Sequence, residues 1–174
     1  MNEKASELEG LRSVEDVLRR YTARDFRRVD PADVVTAEWV RMKCQFGCGG
    51  YGRCLTCPPH SPTPERTRRM LDEYRAAYVI WWGKDSPDRE TLGEIEREVF
   101  LQGHWRAFMF ACGPCGLCSP CPLEYPCRHP RAARPAMEAS GIDVYETAHR
   151  AGLPIEVVTC HEDVPNFYSL LMVR

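Results

Sequence analysis

The segment between residues 112 and 127 constrains this chain more than any other feature of its sequence. It reads Cys-Gly-Pro-Cys-Gly-Leu-Cys-Ser-Pro-Cys-Pro from residue 112, and a fifth cysteine follows at residue 127. Four of these five thiols recur at every third position, a regularity that packing in a core does not require. Thiolate ligands select zinc, copper(I) or iron-sulfur clusters. The segment is therefore predicted to bind a metal.

The close spacing of these cysteines favours an iron-sulfur cluster among the thiophilic metal groups. A cluster is several ångströms across and can take a ligand from each successive turn of a loop, whereas zinc sites usually join two separate C-x2-C pairs. The bacterial cluster motif is C-x2-C-x2-C-x3-C-P, and this chain has two residues instead of three in the last gap. A structural zinc site and a disulfide framework remain alternatives.

Another concentration of cysteines lies nearer the N-terminus. It follows the pattern C-x3-C-x5-C-x2-C-P-P over residues 44–59, with four glycines between the thiols. Glycines let the backbone approach a cluster closely, and their amides can donate hydrogen bonds to its sulfur atoms. Glycine and polar neighbours offer no core in which unpaired cysteines could be buried as small hydrophobic residues. We call this set the first group (Cys44, Cys48, Cys54 and Cys57) and the later set the second group (Cys112, Cys115, Cys118, Cys121 and Cys127).

Length and composition indicate one cytoplasmic domain. The chain has 174 residues, of which 44% are hydrophobic, enough for a core that forms without disulfides. Its 23 basic and 25 acidic residues give a formal charge of -2, which provides no argument for a nucleic acid or a membrane as partner. The first residues lack the pattern of a secretory signal, and the longest apolar run, 76–82, is too short to span a bilayer. In a reducing cytoplasm the ten cysteines would remain thiols or bind metal.

Periodicity and capping residues predict the secondary structure. Helices are predicted at 13–21, 64–75 and 86–103 and from Asp143 to about residue 151. Strands are predicted at 34–44, 77–82, 105–110, 155–159 and 167–173. The continuous apolar character of 77–82 is typical of a strand buried on both faces, as in a parallel sheet. We therefore predict an α/β fold, in which residues 1–30 form an N-terminal helical segment and residues 31–174 a single cysteine-rich domain. Its sheet would be mixed and mostly parallel, with about five strands and flanking helices.

This order of elements also predicts where the cysteines lie. Cys44, Cys112 and Cys160 each follow the carboxyl end of a predicted strand. The carboxyl ends of parallel strands share one edge of a sheet, and open α/β sheets carry their sites there. The two cysteine-rich loops are therefore expected to be neighbours at one edge. They would form either two clusters within electron-transfer distance or the walls of one shared site.

A basic stretch follows the second group. It comprises Arg128, His129, Arg131 and Arg134. These side chains could offset the negative charge of a thiolate-ligated cluster and so raise its reduction potential, or they could be ordinary solvated charges.

Several motifs together resemble an uncharacterised prokaryotic family of predicted metal-binding proteins. They are Cys44-x3-Cys48, Tyr51-Gly52, Cys57-Pro58-Pro59, Gly113-Pro114-Cys115-x2-Cys118-x2-Cys121, Pro126-Cys127-Arg128-His129-Pro130, Ala133-Arg134-Pro135, Met137-Glu138-Ala139 and Gly141-Ile142-Asp143-Val144. The resemblance covers nearly everything from about Val34 onward, and its motifs are specific. It implies a cysteine-rich, cytoplasmic, metal-binding domain, without an established reaction.

The resemblance implies seven metal ligands, taken over by position. They are Cys44, Cys48, Cys57, Cys115, Cys118, Cys121 and Cys127. The four in the second group are enough to close a 4Fe-4S cluster, whereas the three in the first group leave one coordination position open. Open coordination separates catalytic metal sites from structural ones. The candidates for a fourth ligand are Cys54 and Cys160, which like Cys112 lie outside the family pattern, and the histidines His60 and His161.

Three functions follow from these observations. The first is an iron-sulfur protein with one or two 4Fe-4S clusters that transfers electrons to an unknown redox partner protein. The second is a redox enzyme with an open-coordinated cluster at the first group. Trp81, Trp82 and Lys84 could line its substrate pocket, although a tryptophan pair more often belongs to a core. The third is a zinc-stabilised interaction module.

Overall fold

The structure, a computed structural model, describes residues 3–21 and 23–174. Its helices are α1 (Glu3–Arg20), α2 (Glu38–Gly47), α3 (Pro64–Leu71), α4 (Arg89–Leu101) and α5 (Val144–Arg150). Its strands are β1 (Asp25–Val29), β2 (Ala76–Gly83), β3 (Phe108–Phe110) and β4 (Phe167–Val173), and two short 3-10 helices span Pro31–Asp33 and Glu138–Ser140. None of the helices in these described ranges combines the length and the apolar character that crossing a membrane requires.

The strands form one antiparallel sheet, which corrects the prediction of a mostly parallel sheet of about five strands. Their order is β1-β2-β4-β3, and every neighbouring pair runs in opposite directions. β2 and β3 do run in the same direction, as expected for two strands joined by a helix, but β4 lies between them. β4 is buried from Tyr168 to its end, so it takes an inner position in which neighbouring strands and packed helices cover it.

Helices cover both faces of this sheet. Ile80 on one face packs in a cluster with Val17 of α1 and Ile95 of α4. Val79 points to the other face, where its cluster includes Ala148 of α5. The predicted burial of segment 77–82 on both faces is therefore confirmed, although the sheet is antiparallel. The division of the chain at residue 30 stays a prediction.

The predicted strand at 34–44 is wrong, because α2 occupies most of it. Thr36 makes only an isolated bridge with Ile142 before the helix begins at Glu38. Trp39, Met42 and Phe46 lie at helical spacing and are exposed, so they form one face of α2. Their aromatic and apolar character had favoured a strand, but their spacing fits a helix.

The predicted strand at 155–159 is also wrong, and β1 was missed. Residues 155–159 form neither helix nor strand. The backbone amide of Thr159 instead donates to the Asp163 carboxylate at 2.7 Å, which closes a local turn. β1, whose sequence is Asp-Phe-Arg-Arg-Val, takes the sheet edge beside β2 although three of its five residues are charged.

The remaining predicted elements are confirmed. Helices occur near 13–21, 64–75, 86–103 and after Asp143, and strands near 77–82, 105–110 and 167–173. The capping side chains explain where three helices begin. Thr63, Asp88 and Asp143 each accept a hydrogen bond from a backbone amide in the first turn of α3, α4 and α5.

The loop that follows β3 is anchored to α4. The Arg134 guanidinium forms a salt bridge with Glu96, with Nε 2.7 Å from Oε2, and each side chain is 14% exposed. Glu96 also accepts a hydrogen bond from the backbone amide of Met109 at 2.7 Å. Gly93 lets the helix approach the loop, since a Cβ there would lie 2.7 Å from the Arg131 carbonyl oxygen. The later part of the loop over residues 112–136 is thereby held against α4, which also contacts β3.

Gly141 offers a test of the contact between the second 3-10 helix and α3. It has φ of 76°, and a Cβ there would overlap the ring of Pro64. We expect Gly141→Ala to lower the free energy of unfolding by about 3 kcal/mol. The backbone strain of a left-handed alanine and the overlap of its Cβ with Pro64 both destabilise the folded state, and their costs add. Gly152→Ala is the matched control, since Gly152 has φ of 69° with nothing within 4 Å of its Cβ position. Urea unfolding should show a loss of about 1 kcal/mol there, and equal losses would contradict the packing argument.

The Arg134–Glu96 salt bridge makes a further prediction. Arg134→Met leaves the largely buried Glu96 carboxylate without its cation, which should lower the free energy of unfolding by about 3 kcal/mol. Arg128→Met is the control, because its pair with Glu124 is exposed and 3.5 Å apart. The control should change the free energy of unfolding by less than about 0.5 kcal/mol. If urea unfolding gave the same small change for both variants, the anchoring role of Arg134 would be wrong.

Candidate metal centre

Three cysteines of the first group gather at the carboxyl end of α2. Cys44 lies in its last turn, and Cys48 is the residue that ends it. Cys57 comes from the turns that follow. Burial raises the pKa of Cys44, and negative charge on Cys48, Glu138 and Cys57 raises it further. We call Cys44, Cys48 and Cys57 the three-thiol site.

A network around Arg41 positions this site. The Arg41 guanidinium donates to the backbone carbonyl of Ser61 at 3.1 Å and to that of Ala139 at 3.3 Å. The amide of Ser61 in turn donates to the carbonyl of Cys57 at 3.1 Å. Arg41 therefore ties α2, the turn that carries Cys57 and the second 3-10 helix into one unit.

Cys54, the fourth cysteine of the first group, interacts with both groups, since its thiol lies near that of Cys57 and near Cys115. Its Sγ donates to the carbonyl oxygen of Cys115 at 3.5 Å. Burial raises the pKa of Cys54 to about 11, with further contributions from Cys57, Cys115 and Cys121. Together with four of the five cysteines of the second group it lines a cavity of about 20 Å³, and we call these cysteines the five-thiol site: Cys54, Cys115, Cys118, Cys121 and Cys127. The expected proximity of the two cysteine-rich loops is thus confirmed.

The two sites are adjacent along the chain. The amide of Cys57 donates to the carbonyl of Cys54 at 3.0 Å, so one tight turn carries a thiol of each site. A chain of three residues spans at most about 11 Å between Cα atoms. The sites therefore share a wall formed by residues 54–57.

Backbone amides donate to two of the thiols. The amide of Gly50 lies 3.3 Å from the Sγ of Cys48, as expected for the glycine-rich segment. The amide of His129 lies 3.4 Å from the Sγ of Cys127. Such hydrogen bonds stabilise negative charge on sulfur and tune the potential of a cluster.

The donors of the five-thiol site have the chemistry of a thiophilic metal site. The lining of its cavity, within the described residues, contains five thiols and one imidazole and no carboxylate. Its volume of about 20 Å³ has room for a water-sized group. A larger cluster would therefore require an outward shift of residues 112–136, which form neither helix nor regular strand.

The thiols are spread rather than focused on one point. Within residues 3–21 and 23–174, no three cysteine, histidine, aspartate or glutamate side chains are arranged to hold a single metal ion. All ten cysteines are free thiols, so the alternative of a disulfide framework is wrong. The role of the seven implied ligands stays a prediction. The structure divides them three and four between the two sites.

The other candidate ligands lie outside both sites. Cys112 is 2.8 Å from the hydroxyl of Ser86, and burial raises its pKa. Cys160 is exposed in the turn closed by Asp163 rather than at the end of a strand. His60 and His161 are exposed. Of the three predicted strand-end cysteines, only Cys112 follows a strand, so the prediction of a common sheet edge for all three is wrong.

A groove of about 740 Å³ opens beside the three-thiol site, and Cys44 and Cys48 line it. Its walls come from α2, α5 and the irregular segment 155–158. Apolar and charged side chains share its surface, among them Trp39, Tyr145, Lys43, Glu138 and Glu156. A small molecule in this groove could reach the thiols of Cys44 and Cys48.

The tryptophan pair does not form a substrate pocket. Trp82 is 6% exposed and donates from Nε1 to the Ser169 hydroxyl at 3.0 Å. Trp81 donates to the side chain of Asn166 at 2.8 Å and packs on the opposite core cluster. The pair therefore belongs to the core, which was the alternative interpretation.

Sequence reasoning missed Arg89, the first residue of α4. Its side chain is 6% exposed and donates to the carbonyl of Gly113, within the second group. The basic stretch is less available to offset the charge of a metal site, since Arg134 is paired with Glu96 and Arg128 with Glu124. One sequence signal could have identified Arg89, because a cation at the first position of a helix is disfavoured by the helix dipole.

Comparison with known proteins places the chain in a family. No curated protein and no solved structure matches it. The family described as "Predicted metal-binding protein (DUF2284)" matches residues 27–173, which include all ten cysteines and every element from β2 to β4. The cysteine-rich chain thus belongs to this family of predicted metal-binding proteins.

Proposed function

We propose that the protein binds one or two 4Fe-4S clusters and transfers electrons to a redox partner protein. The observation that carries this proposal is the arrangement of eight cysteines in two adjacent sites that share the turn between Cys54 and Cys57. With ten free thiols, the protein would work in a reducing compartment such as the cytoplasm.

Each of the two thiol sites would supply the ligands of one cluster. Cys115, Cys118, Cys121 and Cys127 would hold one cluster, and Cys54 closes the wall of that site beside Cys115. Cys44, Cys48 and Cys57 would hold the other. A bound iron-sulfur cluster supplies one-electron redox chemistry. The amides of Gly50 and His129 would donate to ligand sulfurs and stabilise their negative charge.

A second candidate function is a redox enzyme with open coordination at the three-thiol site. The groove of about 740 Å³ beside Cys44 and Cys48 favours it, because a substrate could approach the metal from there. Cys160 does not fill the position, since it lies in an exposed turn. Cys54 lies near Cys57 and is the cysteine that could close it, although its thiol donates to the carbonyl of Cys115.

Metal analysis tests the proposal. For protein purified without oxygen, we expect about eight irons and eight acid-labile sulfides per chain, with a visible absorption that bleaches on addition of dithionite. About four of each would place a cluster at one site only. Stoichiometric zinc without sulfide, in protein never exposed to air, would overturn the proposal in favour of a zinc-stabilised interaction module.

Cysteine variants test the separation into two sites in the same assay. Cys118→Ser and Cys44→Ser should each remove about half of the iron, because each lies in a different site. Cys160→Ser is the control and should remove none, since Cys160 is exposed and lies outside both sites. Loss of all iron in either single variant would show that the two loops form one shared site.

Small ligands separate the two candidate functions. If the three-thiol site has an open position, cyanide should change the electron paramagnetic resonance signal of the reduced wild type. It should not change the signal that remains in Cys44→Ser, because that variant keeps only the site with four thiolate ligands. A wild-type signal that is insensitive to cyanide would count against the redox enzyme. Electron transfer would then be the remaining candidate function.

A further inference from the structure

Arg89 is a buried cation at the start of α4. The preceding residue, Asp88, caps the helix by accepting a hydrogen bond from the amide of Thr91 at 2.7 Å. The Arg89 side chain turns inward and is only 6% exposed. A guanidinium remains charged at any physiological pH, so this burial places a positive charge inside the protein. Such a charge is costly unless a negative group compensates it.

No salt bridge compensates this charge, although the Glu138 carboxylate lies within electrostatic range of it. The Nη2 of Arg89 donates to the carbonyl of Gly113, whereas its Nη1 is buried and has no hydrogen-bond partner. In the part of the chain that the structure describes, Arg89 also forms no salt bridge. A buried donor without an acceptor is rare in proteins and calls for an explanation.

The backbone that Arg89 contacts belongs to the loop of the second group. Gly113, which binds Arg89, lies between Cys112 and Cys115 in the sequence. Arg89 and Cys112 also line one cavity of about 440 Å³. Burial lowers the pKa of Arg89, and negative charge on Cys112, Cys115, Cys57 and Glu138 raises it. The guanidinium thus lies beside the start of the loop that carries the second group.

We propose that Arg89 is the buried countercharge of the metal centre, placed at the loop of the second group. The carbonyl of Gly113 holds the guanidinium in place, and the free Nη1 donates a hydrogen bond to a metal-bound sulfur. The charge balance applies to any metal held by thiolates, and only its effect on a reduction potential rests on the proposed iron-sulfur function. Arg89 is a positioning and tuning residue rather than a ligand.

The basic stretch after the second group cannot replace it. Arg134 is already paired with Glu96, and Arg128 is exposed beside Glu124. Arg131 is exposed to solvent, where water and salt screen its charge. Among the arginines that the structure describes, Arg89 combines burial, a free donor and a contact with the loop of the second group.

The reduction potential of the clusters tests the proposal. Reduction adds negative charge to a cluster, so a nearby cation favours the reduced form and its removal lowers the potential. We compare the midpoint potentials of reconstituted full-length wild type, Arg89→Gln, Arg89→Lys and Arg131→Gln by redox titration of the visible absorption. Arg89→Gln should shift the potential to more negative values. Arg89→Lys should stay near wild type because it keeps the charge, and the exposed control should not shift.

Two results would overturn the assignment. One is an Arg89→Gln variant that has its full iron content and the same midpoint potential as the wild type. The other is a shift in Arg89→Lys as large as that in Arg89→Gln, since a structural role would be lost in both variants. Should Arg89→Gln fail to fold, Arg89→Lys decides alone: a potential near wild type supports the countercharge, and a large negative shift contradicts it.

Zinc-loaded protein tests the countercharge role of Arg89 independently of the iron-sulfur function. If the wild type contains zinc without sulfide, the iron-sulfur function fails but the charge argument remains testable. The dissociation constant of zinc, measured by chelator competition, should then rise at least about tenfold in Arg89→Gln. It should not change in Arg131→Gln. An unchanged zinc affinity in Arg89→Gln would overturn the assignment of Arg89 for this metal as well.

Discussion

The pairing of β2 with β4 supports the rest of the structure. Both strands are buried on nearly their whole length, and helices pack on both of their faces. The cysteine-rich loops have no core of their own, since cysteine, glycine and proline dominate them. Their positions are therefore set by the elements they join to this sheet: α2, β3 and the start of α4. A metal site in these loops depends on the sheet for its frame.

A few polar contacts connect the loops to that frame. Arg41 joins α2 to the turn after Cys57, and Arg134 joins the end of the long loop to Glu96 on α4. Arg89 binds the carbonyl of Gly113 near the start of the same loop. All three are arginines whose guanidinium groups bond to backbone carbonyls or to a carboxylate. The guanidinium suits this task because several donors in a fixed plane can satisfy several acceptors at once.

The two thiol sites differ in their surroundings, and this difference bears on function. The five-thiol site is closed around a cavity of about 20 Å³, whereas the three-thiol site opens on a groove of about 740 Å³. A closed site with four or more thiolates suits an electron carrier, and an open site with three suits contact with a substrate. Cys54 links the two sites, because it lines the closed cavity with the second group and also lies near Cys57 of the first.

The sequence by itself determined the kind of site and many of the elements. Cysteine spacing indicated a metal-binding protein, capping residues such as Thr63 and Asp143 located helices, and apolar runs located β2 and β4. These signals are local, because a cap or a strand depends on residues a few positions apart. Only the tertiary structure decided that β4 lies between β2 and β3, that Cys54 faces Cys115, and that Arg89 faces the thiols. Strand partners and the direction of a buried side chain depend on contacts between distant segments, and a local pattern of residues does not contain them.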